Sequence, residues 1–329
     1  MEELTRIITK ATKKSASDVH LVTGSAPVVR VHRKLEVLEK ETLSSTSVSQ
    51  MVQGLLNQSQ LKTLDQTGDV DVGVVVAGIG LRVNVHRQST GLALAIRLIA
   101  AKVPSPEDLG FHEIIGNVPK LEDGLVVVSG PTGSGKSTTL ASLVQEMNKQ
   151  EARHIITLED PIEYRFAPGT CLIEQRQLGV DFPSFEKGLR HVLRQDPDVI
   201  VVGEMRDPET IALALTAAET GHLVLSTLHA PNASEVIERI VNVFQGAKQS
   251  QILIQLAATL KMVVAQKLLP AKAGGLVAVQ EVLVSSLAVQ NAIRQNNLSV
   301  IRSAIQTGKK EGMISMDRAL KDLEKAGKI

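Results

Sequence analysis

The sequence predicts an α/β fold built around a mostly parallel β-sheet in its second half. From about residue 118 onward, apolar runs of strand length alternate with segments of helix length, a pattern typical of parallel strands joined by crossover helices. Polar and charged side chains directly follow four of these strands. Because ligands bind at the carboxyl ends of parallel strands, this repeated placement predicts a functional site along one edge of the sheet.

The N-terminal part, residues 1–100, is predicted to be a separate domain of mixed α and β structure. A helix opens it, and Gly78 to Gly80 is predicted to be a turn between strands. The segment 101–117 is predicted to be a linker, since two prolines stand among polar residues near its start. The strands expected in this domain lie at 28–31, 71–76 and 81–85. A chain of 329 residues is long enough for two domains.

Residues 118–270 are predicted to form a core domain, and 271–329 a C-terminal strand and helical region. In the latter, an apolar strand runs from Leu276 to Val284, and the last helix has Ser315 as its N-cap and extends to Lys325. The strands expected in the core domain lie at 125–129, 154–158, 199–202 and 223–227.

The composition narrows the class of protein. The formal net charge is +1, so a global electrostatic attraction to nucleic acid is not indicated. The single cysteine, Cys171, excludes both a disulfide within the chain and a four-cysteine zinc module. No apolar run approaches the length of a membrane span, and the N-terminal segment lacks the apolar stretch of a signal peptide. We therefore expect a cytoplasmic protein.

Residues 130–138 match the phosphate-binding P-loop pattern G-x-x-x-x-G-K-[S/T]. In such loops backbone N–H groups surround the phosphates, the lysine neutralises their charge, and the following hydroxyl can bind Mg²⁺. An apolar run before the loop and helical spacing after it predict a strand–loop–helix unit, with the helix N-terminus facing the anion. The alternative is a surface turn rich in Gly and Ser. The candidate nucleotide-binding residues are Gly130, Pro131, Thr132, Gly133, Ser134, Gly135, Lys136, Ser137 and Thr138, with Ser137 also a candidate metal ligand.

The predicted strand at 199–202 is followed by Gly203 and Glu204. Many P-loop enzymes place an Asp for Mg²⁺ at this point, followed by a Glu that polarises water, and here Gly203 occupies the Asp position. Glu204 is therefore the leading candidate for orienting an attacking water, whereas the metal-side carboxylate has to come from elsewhere or act through water. The alternative is a surface Glu after a strand.

A second acidic strand end carries Glu159, Asp160 and Glu163. Three carboxylates so close together are costly unless they face a cation. We therefore expect Asp160 to serve the metal and the two glutamates to assist the chemistry, with a solvated acidic loop as the alternative.

Histidines flank the predicted strand at 223–227. His229 lies at its carboxyl end, where the other site residues gather, and is a candidate sensor of the γ-phosphate. His222 lies at the opposite end and needs a loop or a neighbouring subunit to reach a nucleotide. Taken alone, either residue is more often an ordinary, hydrogen-bonded histidine.

Arg82 and Arg97 flank strands of the N-terminal domain. A guanidinium that arrives from another domain or subunit can couple closure of a phosphoryl-transfer site to hydrolysis. Both are therefore candidate catalytic residues, with simple surface arginines as the alternative.

Four ordered segments resemble the motifs of the secretion-ATPase superfamily: GPTGSGKSTT its Walker A, ITLEDPIEY its Asp box, LRQDPDVIVVGEMRD its Walker B and ETGHLVLSTLHA its His box. The segments 17–21 and 27–31 resemble the N-terminal domain of the pilus retraction class. The resemblance covers nearly the whole chain. It implies a PAS-like N-terminal domain joined to a RecA-like P-loop NTPase domain, assembled as a hexameric ring that binds ATP and Mg²⁺ between the two domains. Arg82 and Arg97 match the arginine positions of the family.

Two features place the chain within the superfamily. Pilus-assembly and type II secretion ATPases carry an extra N-terminal region and usually a four-cysteine metal module, and we expect neither here. In contrast, the retraction class has a C-terminal motif reading roughly AIRNLIRE, where residues 292–299 read AIRQNNLS.

The resemblance implies an ATPase motor that powers type IV pilus retraction, working with the inner-membrane platform protein and the pilus machinery. An accessory retraction motor or a divergent filament or secretion ATPase stays open. A nucleic-acid translocase is a further alternative, although a chain with no Trp, one Tyr and five Phe offers few stacking platforms for bases. A scaffold that binds ATP without turning it over is the last alternative. The presence of both Lys136 and Glu204, the candidate phosphate-binding and water-orienting residues, argues against it.

Overall fold

The computed structural model describes residues 1–31, 34–99 and 103–329. The chain divides into two compact units, the first comprising residues 1–102 and 161–165, and the second 103–160 and 166–329. Residues 161–165 thus group with the first unit, although they lie inside the core domain predicted from sequence. Residues 100–102, at the predicted boundary between the N-terminal domain and the linker, lie outside the described residues.

The first unit contains a six-stranded sheet in which every neighbouring pair is antiparallel. Successive strand residues alternate between solvent and a core formed with the helices, so that Val19 and Ile96 are fully buried against Ile7 and Ile8 of the first helix. Its elements are α1 (Glu2–Lys13), β1 (Asp18–Val22), β2 (Val28–Val31), β3 (Lys34–Val37), α2 (Ser45–Leu55), α3 (Gln58–Thr67), β4 (Asp69–Val76), β5 (Ile79–Gln88) and β6 (Gly91–Leu98).

The turn between β4 and β5 lies at Ala77 and Gly78, not at Gly78 to Gly80 as predicted. Val76 pairs with Ile79, which leaves a two-residue loop. Both loop residues have positive φ, 53° at Ala77 and 75° at Gly78. That conformation matches the twist of the flanking strands, which is why the strand resumes directly at Ile79.

The second unit is an α/β structure around a seven-stranded sheet with the order β13-β12-β7-β11-β10-β8-β9. β13 pairs antiparallel with β12, whereas the other neighbouring pairs are parallel, which confirms the predicted mostly parallel sheet. Its elements are α4 (Glu113–Gly116), β7 (Gly124–Ser129), α5 (Lys136–Gln150), β8 (His154–Glu159), β9 (Leu172–Gln177), α6 (Phe185–Val192), β10 (Val199–Val202), α7 (Pro208–Glu219), β11 (Leu223–Leu228), α8 (Ala233–Asn242), α9 (Gly246–Thr259), β12 (Leu260–Pro270), β13 (Leu276–Val284), α10 (Leu287–Arg294), α11 (Leu298–Thr307) and α12 (Met316–Lys325).

Helices cover both faces of this sheet, so its central strands are buried on both sides. Val127 faces one apolar core and Val126 and Val128 face the other. Such strands read as continuous apolar runs, which is why they stand out in the sequence. Ile115, within the predicted linker, is fully buried in the second of these cores. No helix among the described residues is long and apolar enough to cross a membrane.

The strand order brings the ends of distant segments together. β11 and β12 flank β7, and β10 lies on the far side of β11. We call the edge where these parallel strands end the carboxyl edge; it carries the P-loop, Glu159, Glu204 and His229. The opposite edge, where the strands begin, is the amino edge; it carries Asp123, His154, Asp198, His222 and Lys261.

Candidate active site

The P-loop connects β7 to α5 through backbone conformations that require glycine. Gly135, the N-cap of α5, has φ of 87°, a left-handed conformation that is strained for residues with a Cβ atom. At Gly130, a Cβ atom would lie 2.3 Å from the carbonyl oxygen of Gln266. The loop therefore wraps closely against β12 and ends at the N-terminus of a 15-residue helix, where the helix dipole favours an anion.

Lys136 is held against this loop. It is 9% exposed, and its Nζ donates to the carbonyl oxygens of Gly130 at 3.0 Å and Pro131 at 3.2 Å. The ammonium group is thus fixed beside the place where phosphates bind in such loops. Ser137 follows in the first turn of α5 and is exposed, so the structure places the loop, its cation and its hydroxyl together.

Glu204 follows β10 and lies between two basic groups. Its Oε2 is 2.8 Å from Nη2 of Arg206, and its Oε1 is 3.4 Å from Nε2 of His229, while its side chain is 18% exposed. Burial lowers the pKa of His229, and the positive charge of Lys136 lowers it further, against the opposing effect of Glu204. The lowered pKa favours the neutral form of His229, whose Nε2 faces the candidate base.

Arg206 was not identified from the sequence. It stands two residues after Glu204, and alternate residues of an extended segment point to the same side. That spacing is the signal that could have indicated it.

Packing between strands explains why Gly203 occurs where an Asp was expected. Its N–H donates to the carbonyl oxygen of Leu158 at 2.8 Å, and a Cβ atom at this position would lie 3.0 Å from the same oxygen. On the other side, Oγ1 of Thr227 donates to the carbonyl oxygen of Gly203 at 2.6 Å. A side chain at this position is therefore tight and requires the Leu158 carbonyl of β8 to move by a few tenths of an ångström.

The Asp-box carboxylates are divided between the two units. Glu159 ends β8 and accepts hydrogen bonds from Oγ1 of Thr157 at 2.6 Å and Nε2 of Gln175 at 3.0 Å. Asp160 is the last residue before the break between the units, and Glu163 belongs to the segment that groups with the first unit. No group of three or more His, Cys, Asp or Glu side chains that could hold a metal occurs within 1–31, 34–99 and 103–329.

The candidate arginines lie in the first unit. Arg82 and Arg97 stand directly opposite each other on β5 and β6. Nε of Arg97 donates to Oδ1 of Asp18 at 3.0 Å, and the arginine side chain remains 67% exposed. Since Asp18 also pairs in register with Arg97 across β1 and β6, these charged groups form one row on the solvent face of the sheet.

His222 lies at the amino edge. Its Nδ1 is 3.0 Å from the carbonyl oxygen of Ala217 and 3.2 Å from Oγ1 of Thr220. The second unit thus brings together the P-loop, Glu159, Glu204 and His229, and it leaves His222 at the other end of β11.

Known proteins resemble this chain over nearly its whole length. The family described as "Type II/IV secretion system protein" matches residues 1–321. The chain is 40% identical over 328 residues to the "Type IV pilus retractation ATPase PilT" of Pseudomonas aeruginosa, which covers 99% of this chain and 95% of that protein. It is 42% identical over 305 residues to a "Twitching motility protein" of Neisseria gonorrhoeae, covering 92% of this chain and 82% of that one.

A solved structure is similar over the same length. The crystal structure of the pilus retraction motor PilT with bound ADP superposes with a TM-score of 0.92 at 39% identity, covering 99% of this chain and 94% of that chain. Because the family matches almost the whole sequence and the relatives align nearly end to end, this chain belongs to the type II/IV secretion system protein family.

Proposed function

We propose that this chain is a Mg²⁺-dependent ATPase that powers type IV pilus retraction, and hence twitching motility. The observation that carries the proposal is the carboxyl edge, which carries both a complete P-loop with a buried lysine and a glutamate whose side chain is 18% exposed. The names of two relatives, a pilus retraction ATPase and a twitching motility protein, indicate the process that such a motor would drive. The solved relative with bound ADP supports a nucleotide as the ligand.

The P-loop N–H groups and Lys136 would bind the phosphates of ATP. The residues fit Mg²⁺, because this ion keeps several waters and takes oxygen ligands from phosphates and one or two protein groups. Ser137 would hold it, with Asp160 at the same edge as a further oxygen ligand, directly or through water. Bound there, Mg²⁺ neutralises negative charge on the phosphates.

Glu204 would orient the water that attacks the γ-phosphate. Its carboxylate accepts from Arg206 and faces a neutral His229, so its position is restrained from two sides. Glu159, held by Thr157 and Gln175, and Glu163 would assist the water or the metal. This arrangement combines positioning with electrostatic stabilisation, which supply most of the catalysis in phosphoryl transfer.

We further propose that a RecA-like core and a PAS-like N-terminal domain close on the nucleotide in a hexameric ring. Arg82 and Arg97, exposed on their own sheet, would reach a site completed by another subunit, and His222 would do so from the amino edge. Closure and reopening would rotate the domains and act on a platform protein at the cytoplasmic side of the inner membrane. Mixing Arg82→Ala with Lys136→Ala subunits tests the action in trans. Activity equal to the average of the two inactive parents contradicts it.

A deletion strain scored for pili tests the process. Loss of the gene is expected to leave cells with excess pili that do not retract, and a wild-type copy, but not Lys136→Ala, restores retraction. Bald cells would contradict retraction and indicate pilus assembly instead.

A second candidate function, an accessory or divergent motor of the same family, is favoured by residues 292–299. Where the retraction class continues its motif, this chain ends α10 at Arg294, places Asn296 at φ of 50°, and caps α11 with the Asn297 side chain. The residues that differ from the motif of the retraction class thus form the break between α10 and α11. A deletion strain that still retracts its pili, but against a lower load, would support the accessory role.

A further inference from the structure

We propose that Gln266, on β12, is a positioning residue for the nucleotide, because its side-chain amide fixes the orientation of the Ser134–Gly135 peptide in the P-loop. The inference rests on the proposed nucleotide site and deepens it. Nothing in the sequence pattern indicates this residue, which stands more than a hundred positions from the loop.

The amide of Gln266 bridges the loop and the helix that follows it. Its Nε2 donates to the carbonyl oxygen of Ser134 at 2.7 Å, and its Oε1 accepts from Oγ1 of Thr139, in α5, at 2.8 Å. A carbonyl oxygen can only accept, so the amide nitrogen has to face Ser134, and the side-chain orientation is thereby determined. Gln266 is 1% exposed, so water does not replace these bonds.

This contact determines which way a loop N–H points. In a planar trans peptide the carbonyl oxygen and the N–H of the next residue lie on opposite sides. With the Ser134 carbonyl held towards β12, the Gly135 N–H points away from β12. P-loops bind phosphates through N–H groups of this kind. Gly135, at φ of 87°, has no Cβ atom to restrict rotation of the Ser134–Gly135 peptide, so the hydrogen bond from Gln266 is the contact that restrains it.

The backbone of Gln266 also contacts the start of the loop. Its carbonyl oxygen would lie only 2.3 Å from a Cβ atom at Gly130, so only glycine fits there. A Cβ atom at Gly135 would lie 3.3 Å from Nε2 of Gln266. One residue of β12 therefore approaches both ends of the P-loop, which makes it a template for the loop's shape.

The chemistry requires a glutamine of this length. Glutamate keeps the acceptor for Thr139 but loses the donor to Ser134 and brings a negative charge towards a carbonyl oxygen. Leucine keeps a similar volume and loses both bonds, which leaves the buried Ser134 carbonyl and Thr139 hydroxyl without these partners.

The sheet supplies a matched control. Gln280 lies directly opposite Gln266 in the β12–β13 ladder and is 2% exposed. It is a buried glutamine of the same sheet, and it makes none of the P-loop contacts described for Gln266. Replacing it perturbs the same face of the sheet, beside Gln266, and removes no hydrogen bond to the loop.

The test measures MgADP binding by calorimetry, and kcat and KM for ATP, on the full chain with Gln266→Leu, Gln266→Glu and Gln280→Leu. Both Gln266 variants are expected to raise the Kd for MgADP and the KM for ATP about ten-fold, with kcat changed less than about three-fold. Gln280→Leu is expected to bind MgADP like the wild type, even if its melting temperature falls as much as that of the Gln266 variants.

Thr139→Val keeps the proposal testable if Gln266→Leu fails to fold. It removes one bond of the amide and leaves the Ser134 bond in place, so we expect an increase in Kd of about three-fold. Wild-type Kd in Gln266→Glu, or an equal loss in Gln280→Leu, would overturn the positioning role while leaving the proposed function intact. Absence of MgADP binding by the wild type would overturn both.

Discussion

The carboxyl and amino edges of the seven-stranded sheet carry the same kinds of side chain in different backbone settings. At the amino edge, Nζ of Lys261 lies 2.7 Å from Oδ1 of Asp123, with 38% and 49% of the two side chains exposed. At the carboxyl edge, Lys136 is 9% exposed and donates to loop carbonyl oxygens. The first lysine forms an ordinary surface ion pair, which contributes little energy, whereas the second is held in place by the loop that surrounds it.

The difference shows that residue types alone do not make the site. His154, with Nε2 3.0 Å from Oε1 of Glu174, resembles the pairing of His229 with Glu204, and carboxylates occur at both edges. What the carboxyl edge adds is a loop at the N-terminus of α5 whose N–H groups and buried cation favour an anion. Variants made in pairs, one at each edge, test whether this difference decides function.

The largest expected effect comes from the paired lysines. Lys136→Ala removes the buried cation beside the phosphates, and loss of one such electrostatic group costs about 100- to 1,000-fold in turnover. Lys261→Ala removes a surface pair and is expected to leave ATP turnover within about two-fold of wild type. A phosphate-release assay measures the ATP turnover of both variants relative to the wild type. Comparable losses in the two would mean that the edges do not differ as described.

The paired glutamates come next. Glu204→Gln keeps the shape of the side chain but removes its charge, so ATP turnover is expected to fall about 100-fold while ATP binding remains. Glu174→Gln, near the amino edge, serves as the control and is expected to keep its turnover. Turnover of Glu204→Gln at the wild-type rate would remove Glu204 from its proposed role.

The two histidines that flank β11 extend the comparison to assemblies mixed from two variants. His229 shares an edge with Lys136, so mixing His229→Gln with Lys136→Ala subunits is expected to restore no activity. His222 would act on a neighbouring subunit, so an equal mixture of His222→Gln and Lys136→Ala is expected to restore about a quarter of the sites in a head-to-tail ring. Identical ATPase rates in the two mixtures would contradict this division.

The smallest expected effect is on stability at low pH. Burial lowers the pKa of both His112 and His229, so the folded chain binds fewer protons than the unfolded chain. Their contribution to the free energy of unfolding is full above the unfolded-chain pKa, about 6.5, and is lost as the pH falls below it. Urea unfolding from pH 7.5 to 5.5 measures this slope. His112→Gln should flatten it, and an unchanged slope would mean that His112 does not contribute.

The sequence was most informative where structure depends on local pattern. The apolar run from Leu276 to Val284 has the bounds of β13, and the strand predicted at 199–202 has those of β10. Apolar runs between turn residues carry this information because the sheet is buried on both faces. The placement of the P-loop between a strand and a helix was likewise readable.

Contacts that depend on the order of strands in the sheet could not be predicted from the sequence. Gln266 contacts the P-loop because β12 lies beside β7, and no spacing in the sequence states that adjacency. The approach of Leu158 to Gly203, which makes a side chain tight at that position, depends on the pairing of β8 with β10. The grouping of residues 161–165 with the first unit is a tertiary feature of the same kind.

The central claim, that the nucleotide binds at the carboxyl edge, is tested most directly by hydrogen exchange on the full chain with and without MgATP. Glu204→Gln should be used, so that the nucleotide persists during labelling. The account predicts slower exchange of amides in residues 130–138, and a smaller change around Asp196 to Asp198 at the amino edge, which only the nucleotide of a neighbouring subunit would reach. Unchanged exchange in the P-loop, or protection confined to the amino edge, would contradict it.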